Sequence, residues 1–150
     1  MELQNKIEDA KRIFETAIKK FKPDVVIALV SGGDDSMTMY KVAKMVGYVD
    51  YVVHVDTTTG IAAATNFVID NVRDELIIAR TPEETYEEIV LQEGFPGPGQ
   101  HQMMYIRLKE RALRTVQRRF QHDGSFCRID GGSAHTKNTP LIYHPDYPTS

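Results

Sequence analysis

The sequence predicts an α/β fold: a doubly wound, mainly parallel sheet with helices on both faces. Three observations carry that expectation. The run VVIALV (25–30) is continuous, mostly β-branched and uncharged, as in a strand buried on both faces. Strand-like and helix-like segments then alternate along the chain, the order that builds a parallel sheet. A glycine-rich turn, SGGDDS (31–36), joins the first strand to the helix after it.

Each element has a local reason. Leu3, Ile7, Ala10, Phe14, Ala17, Ile18 and Phe21 recur at helical spacing, so 3–21 reads as an amphipathic helix that Pro23 ends. The strand at 25–30 follows, and MTMYKVAKMV (37–46) returns to helical spacing. YVVHVD (51–56) is a second buried strand, running into the polar turn TTTG. ATNFVIDNV (64–72) is the next helix and ELIIAR (75–80) the third strand. Thr81 reads as the N-cap of a further helix, with Pro82 at its first position and acids in the first turn, running to about Gln92. GFPGPGQ (94–100) holds three Gly and two Pro in seven residues and is a loop. HQMMYIRLKERALRTVQRRF (101–120) reads as one long helix. Gly124, Gly131, Gly132, Pro140, Pro145 and Pro148 break up the span 121–150. It reads as an irregular tail with at most one short strand or helix, such as a strand at 141–144.

Composition narrows the function classes. A chain of 150 residues reads as one domain, 1–150, and buries roughly 68–70% of its unfolded surface. With 41% hydrophobic and 26% charged residues it is neither disordered nor fibrous. A net charge of −3 gives no electrostatic reason to expect a nucleic-acid partner. One cysteine, Cys127, excludes an intrachain disulfide framework and an all-cysteine zinc or iron–sulfur site within one chain. No apolar run is long enough to span a bilayer, and the charged start MELQNKIEDAKR lacks the apolar stretch of a signal peptide. The expected location is cytoplasmic, with no membrane partner.

The 31–36 turn is where chemistry is expected. Gly32 and Gly33 allow the backbone to turn successive N–H groups inward as an anion nest. The following helix adds its N-terminal amides and dipole, and Ser31 and Ser36 add hydroxyls. Phosphate or sulfate fits such a site; a plain αβ turn with serine caps is the other reading. No GxxxxGK[ST] or GxGxxG pattern occurs in the chain.

Ser31-Gly32-Gly33-Asp34-Asp35-Ser36, directly after a buried strand, resembles the SGGxDS motif of the PP-loop, or adenine nucleotide α-hydrolase, superfamily. His54-Val55-Asp56-Thr57 resembles the second-strand end of its phosphoadenosine phosphosulfate (PAPS) reductase branch. Gly94–Gly99 followed by His101, Met104, Tyr105, Leu108, Lys109 and Arg111 resembles a pattern in PAPS-reductase-like proteins of phages and bacteria. The resemblance covers about 22–115. It implies an adenine nucleotide, ATP or PAPS, held by Ser31, Gly32, Gly33, Asp34, Asp35 and Ser36, with Asp35 near the phosphates and a Mg²⁺ ion. An ATP pyrophosphatase or adenylyl-transfer activity would follow, with an unidentified second substrate. The chain departs from the reductases in having no C-terminal ECGLH-type cysteine segment, and Cys127 sits instead in SFCR. Sulfonucleotide reduction needs a thiolate, so no unaided PAPS reduction and no iron–sulfur cluster are expected.

Other residues complete the candidate set. Asp56, with Thr57 after it, ends a strand at the ligand edge, as a Mg²⁺ ligand or ribose contact, or as a turn-forming aspartate. His54, two residues earlier, reads as packing or as support for the site. His101, Tyr105 and Lys109 share a helix face that leaves the Gly/Pro loop and could meet the nucleotide. Asp35 and Lys109 are the catalytic candidates. Arg107 and Arg111, with Arg114 and Arg118, form a second stripe; the first two suit phosphate. Alternatively they pair with the five glutamates between Glu83 and Glu93. Competing readings are a non-catalytic nucleotide-binding module or partner subunit, and a nucleic-acid-modifying protein using the arginine stripe. A homo-oligomer would cover apolar residues such as Met103, Met104, Phe126, Ile142 and Tyr143.

Overall fold

A computed structural model describes residues 2–72, 75–121, 126–130 and 142–143; for 121, 126–130 and 142–143 the description is of the backbone. Helix α1 spans Glu2–Phe21, and Lys22 turns the chain with φ +43 before Pro23. Strand β1 is Val25–Val30 and helix α2 is Asp34–Val46, closed by Gly47 in the left-handed conformation. Strand β2 (Tyr51–Val55), helix α3 (Ala62–Asn71) and strand β3 (Leu76–Ala79) follow. Helix α4 is Tyr86–Glu93. A 3₁₀ turn at Pro98–Gln100 leads into α5 (His101–Tyr105), a π-helical turn (Ile106–Glu110) and α6 (Arg111–Gln121). Strands β4 (Phe126–Asp130) and β5 (Ile142–Tyr143) complete the sheet.

The sheet order is β3-β2-β1-β4-β5. β1 lies at its centre, parallel to β2 with Val30 beside His54, and parallel to β4 with Val26 beside Cys127. β2 and β3 are parallel and β4 and β5 antiparallel. Side chains alternate across a strand, so β1 feeds two cores. Ile27 packs with Val53 and Ala79 beneath Ala112, Leu113, Val116 and Phe120 of α6. The Phe120 ring tilts against Tyr51 with centroids 4.7 Å apart. Ala28 and Val30 face Met37 and Tyr40 of α2 and Val68 of α3, while Val26 and Ala43 receive Phe14 and Ile18 of α1. Burying a side chain such as Ile27 stabilises the fold by roughly 1.5–3 kcal/mol. Helices thus cover both faces, as the alternating order predicts. No helix among the described residues is long and apolar enough to cross a membrane.

Three expectations need correction. Helix α4 is capped by Thr85, not Thr81. Thr85 Oγ1 accepts the Glu88 N–H at 3.3 Å and Glu88 Oε2 accepts the Thr85 N–H at 2.7 Å. This reciprocal box satisfies two donors at once, whereas Glu84, the glutamate at the matching place after Thr81, is bonded to Arg107. Thr81 is buried instead, and its hydroxyl finds no partner among the described residues. The long helix 101–120 is interrupted by the π-helical turn. The span 121–150 holds two strands rather than one, with β4 beside the central strand. The remainder of that tail, and with it His122, His135 and His144, lies outside the described residues.

Candidate functional site

Parallel strands bring their carboxyl ends to one edge, so the segments after β1, β2 and β3 become neighbours there. After β1 the chain turns at Gly32, whose φ is +87. A Cβ at this position would sit 2.9 Å from the Ala64 carbonyl oxygen and 3.3 Å from Val68 Cγ2. Glycine is required there twice over, by backbone angle and by the approach of α3. Gly33 has ordinary extended angles, and a Cβ on it would meet only Ser31 Oγ at 3.6 Å.

The two serines hold the turn closed. The buried Ser36 hydroxyl donates to the Gly33 carbonyl at 2.9 Å and accepts the Ser31 N–H at 3.1 Å. It also lies 3.2 Å from the Ser31 hydroxyl. Gly33 is the N-cap of α2 and supplies no side-chain cap. The first-turn amides of a helix have no intrahelical acceptor, so those of Asp34, Asp35 and Ser36 retain donor capacity. Asp34 and Asp35 are exposed on that first turn.

After β2, Asp56 is half-buried and ion-paired with Arg80, the residue following β3. Its Oδ1 accepts the Thr58 N–H at 2.9 Å. Burial pushes its carboxyl up, but the bonds from Arg80 and Thr58 outweigh that and hold it below the usual aspartate range. Thr58 has φ +61, a strained angle for a β-branched residue. Its hydroxyl accepts the Tyr86 N–H at 2.8 Å, tying this turn to α4. The Thr57 hydroxyl lies 2.8 Å from that of Thr59. Arg80 was not expected in the site, because it read as the last residue of a strand. His54 is buried, with Nδ1 2.9 Å from the Val30 carbonyl oxygen and Nε2 3.1 Å from Thr65 Oγ1.

Beyond α4 lies an open cleft of about 690 Å³, with Glu83, Glu84, Met103, Ile106, Arg107 and Arg111 among its walls. Arg107 sits in the π-helical turn with its side chain only 14% exposed. Its Nε donates to Glu84 Oε1 at 2.6 Å, its Nη2 to Glu84 Oε2, and its Nη1 to both Glu93 oxygens at 2.9 and 3.0 Å. Arg111 pairs with Glu83 and lies 3.5 Å from Glu84 Oε1. The Arg107 bonds hold the Glu84 carboxyl low, and Glu84 and Glu93 raise the Arg107 guanidinium. The structure therefore places Arg107 and Arg111 on the acidic segment, the alternative that the charge pattern offers. Arg114 and Arg118 are exposed. Lys109 Nζ lies over the Tyr105 ring at 5.2 Å, and His101 is exposed at the start of α5.

The loop 31–36 and the pair Asp56–Thr57 therefore share the carboxyl edge of adjacent strands. His101, Arg107, Lys109 and Arg111 belong to the α5–α6 segment instead. No group of three or more His, Cys, Asp or Glu side chains that could hold a metal occurs among the described residues.

No protein-family model matches the sequence, and no curated protein matches it either. A solved structure does: the phosphoadenylyl-sulfate (PAPS) reductase of Candida auris in its phosphate complex, with a TM-score of 0.59 and 14% sequence identity. The match covers 89% of this chain and 65% of the reductase, so the chain spans about two-thirds of that protein's length. What the likeness shows is a shared α/β fold of the PAPS reductase type.

Proposed function

We propose that the protein binds an adenine nucleotide, ATP or PAPS, with its phosphates on the 31–36 loop. The observation that carries this is the loop itself. A left-handed Gly32 pressed against α3, a Gly33 open to solvent, two serine hydroxyls and an uncapped helix start converge at the carboxyl edge of the central strand. Phosphate oxygens match the amides of the helix start and the Ser31 hydroxyl. The resemblance of SGGDDS to the PP-loop motif and the likeness to a PAPS reductase support the same reading.

The corresponding chemistry is adenylyl transfer. A nucleophile on a second substrate attacks the α-phosphorus of ATP, the bond to the bridging oxygen breaks, and pyrophosphate leaves with that oxygen. Loop amides and the Ser31 hydroxyl would orient the phosphates and spread the developing charge, while the Ser36 hydroxyl, donated to the Gly33 carbonyl, would hold the turn in shape. Asp35, exposed on the first turn of α2, would offer one hard oxygen to a Mg²⁺ ion. Lys109, in the π-helical turn between α5 and α6, is the candidate cation. Cys127 is a poor candidate for reductase chemistry by its position. It lies beside Val26, four residues short of the end of β1, so about 13 Å of strand separates it from the carboxyl edge.

A second reading, nucleotide binding without turnover, is favoured by the engagement of Arg107 and Arg111 with glutamates. Calorimetry with ATP, PAPS and AMP side by side tests binding, and pyrophosphate release from ATP with Mg²⁺ separates the two readings. Absence of binding to all three nucleotides overturns both.

A further inference from the structure

The peptide group joining Val30 to Ser31 is where the central strand becomes the loop. Both of its polar atoms are held by side chains. Its N–H donates to Ser36 Oγ at 3.1 Å, and its carbonyl oxygen lies 2.9 Å from His54 Nδ1. A carbonyl oxygen can only accept, so the Nδ1 of His54 carries the hydrogen of this bond. Nε2 is left to meet the Thr65 hydroxyl at 3.1 Å. Thr65 follows Ala64, whose carbonyl oxygen presses on Gly32. One buried ring therefore ties the end of β1 to the first turn of α3, the two surfaces between which the loop is formed. Apolar residues dominate this face of the sheet, with Val30 and Val52 buried against Val68 of α3. A histidine there is accounted for by its two hydrogen bonds rather than by packing.

From this we infer that His54 is a positioning residue for the 31–36 loop, acting through the Val30 carbonyl. The inference rests on the reading of that loop as the phosphate site for its functional consequence. Its structural content, the orientation of the Val30–Ser31 peptide, stands apart from any ligand.

Isosteric logic supplies the test. The amide nitrogen of Asn lies as many bonds from the backbone as Nδ1, and that of Gln as many as Nε2. His54→Asn can keep the Val30 bond, His54→Gln can keep the Thr65 contact, and His54→Leu keeps neither. Amide hydrogen exchange of the full chain, read at Ser31 against Ala28 within β1, reports the loop directly. His54→Leu should speed exchange at Ser31 about five- to tenfold with Ala28 unchanged, while His54→Asn stays near the native rate. ATP and PAPS affinities should fall in the same order, with Asn rescuing what Leu loses. If His54→Leu does not fold, Gln takes its place as the fast-exchanging partner of Asn. Equal Ser31 exchange in Asn and in Leu or Gln, or a native rate in Leu, overturns the inference. Failure of the native protein to bind any of the nucleotides overturns the site reading alone, and the exchange comparison still decides the role of His54.

Discussion

Two regions near the sheet's carboxyl edge carry polar groups, and they spend them differently. In the cleft wall, Arg107 is saturated by Glu84 and Glu93, and Arg111 by Glu83 and Glu84. In the 31–36 loop the hydroxyls are tied to one another, yet the first turn of α2 has no cap. Fixed charges that already satisfy each other hold a fold together. Donors without acceptors are what a ligand can use. On the proposed reading, binding belongs to the loop and stabilisation to the cleft wall, although the cleft has the greater density of charge.

The largest effect that tests this division is on stability. Arg107→Ala leaves Glu84 and Glu93 without their shared cation, and should cost about 1.5–3 kcal/mol of unfolding free energy in urea titrations, the size of a hydrogen bond to a charged group. Nucleotide affinity of the folded variant should stay native. An Arg107→Ala protein of native stability that no longer binds nucleotide would reverse the roles of the two regions.

Gly32→Ala comes next. Its Cβ would meet the Ala64 carbonyl at 2.9 Å on a left-handed backbone, costing about 1–2 kcal/mol and displacing the loop from α3. Thermal melts should register that loss, whereas Gly33→Ala should melt like the native protein. Equal melting of the two glycine variants would mean that the loop does not depend on its contact with α3.

Ser36→Ala removes a hydroxyl that bridges Ser31 and Gly33. Affinity for ATP or PAPS should fall about tenfold, because the turn loses the bonds that hold Ser31 and Gly33 in place. An unchanged affinity would sever the loop from binding.

The smallest effect is on pH dependence. Glu84 is held below the usual glutamate value of 4.5 by Arg107. A carboxylate depressed in the folded state contributes stability above its ordinary value and loses it as pH falls through the depressed one. The native protein should therefore lose stability on acidification below about pH 4.5, and Glu84→Gln should make that loss shallower by up to about 1 kcal/mol. A parallel acid limb in the two proteins would show that this pair adds little to stability.

How much of this was legible in the sequence depended on range. VVIALV and SGGDDS announce a buried strand and a tight turn because the cause lies within six residues. Strands near 51–55 and 76–79, and their parallel pairing, follow from the same local signals. β4 was missed because FCRID is short, carries Arg128 in its middle and lies between glycines, so nothing local separates it from a loop. Thr81 and Thr85 each stand three residues before a glutamate, so the sequence spells two helix starts; Arg107, 23 residues from Glu84, engages that glutamate and leaves the box to Thr85 and Glu88. Arg107 and Arg111 are the same case at longer range. Four-residue spacing places them on one stripe, but their glutamates lie 14 to 28 residues away. Which glycine of the pair is indispensable is set by Ala64 of α3, 32 residues downstream of Gly32. His54 looked like packing because its partners, Val30 and Thr65, are remote in sequence.

The most direct test of the central claim is one calorimetric series: ATP, PAPS and AMP titrated into the native protein and into Gly33→Val. The backbone at Gly33 accepts a side chain, and a Cβ there meets nothing closer than Ser31 Oγ at 3.6 Å. The variant should therefore keep a native circular dichroism spectrum while its branched side chain fills the approach to the helix start. The account predicts that ATP or PAPS binds the native protein more tightly than AMP does, and that Gly33→Val abolishes this preference. Native affinities retained in a folded Gly33→Val protein would contradict it, and would make the 31–36 segment a structural turn.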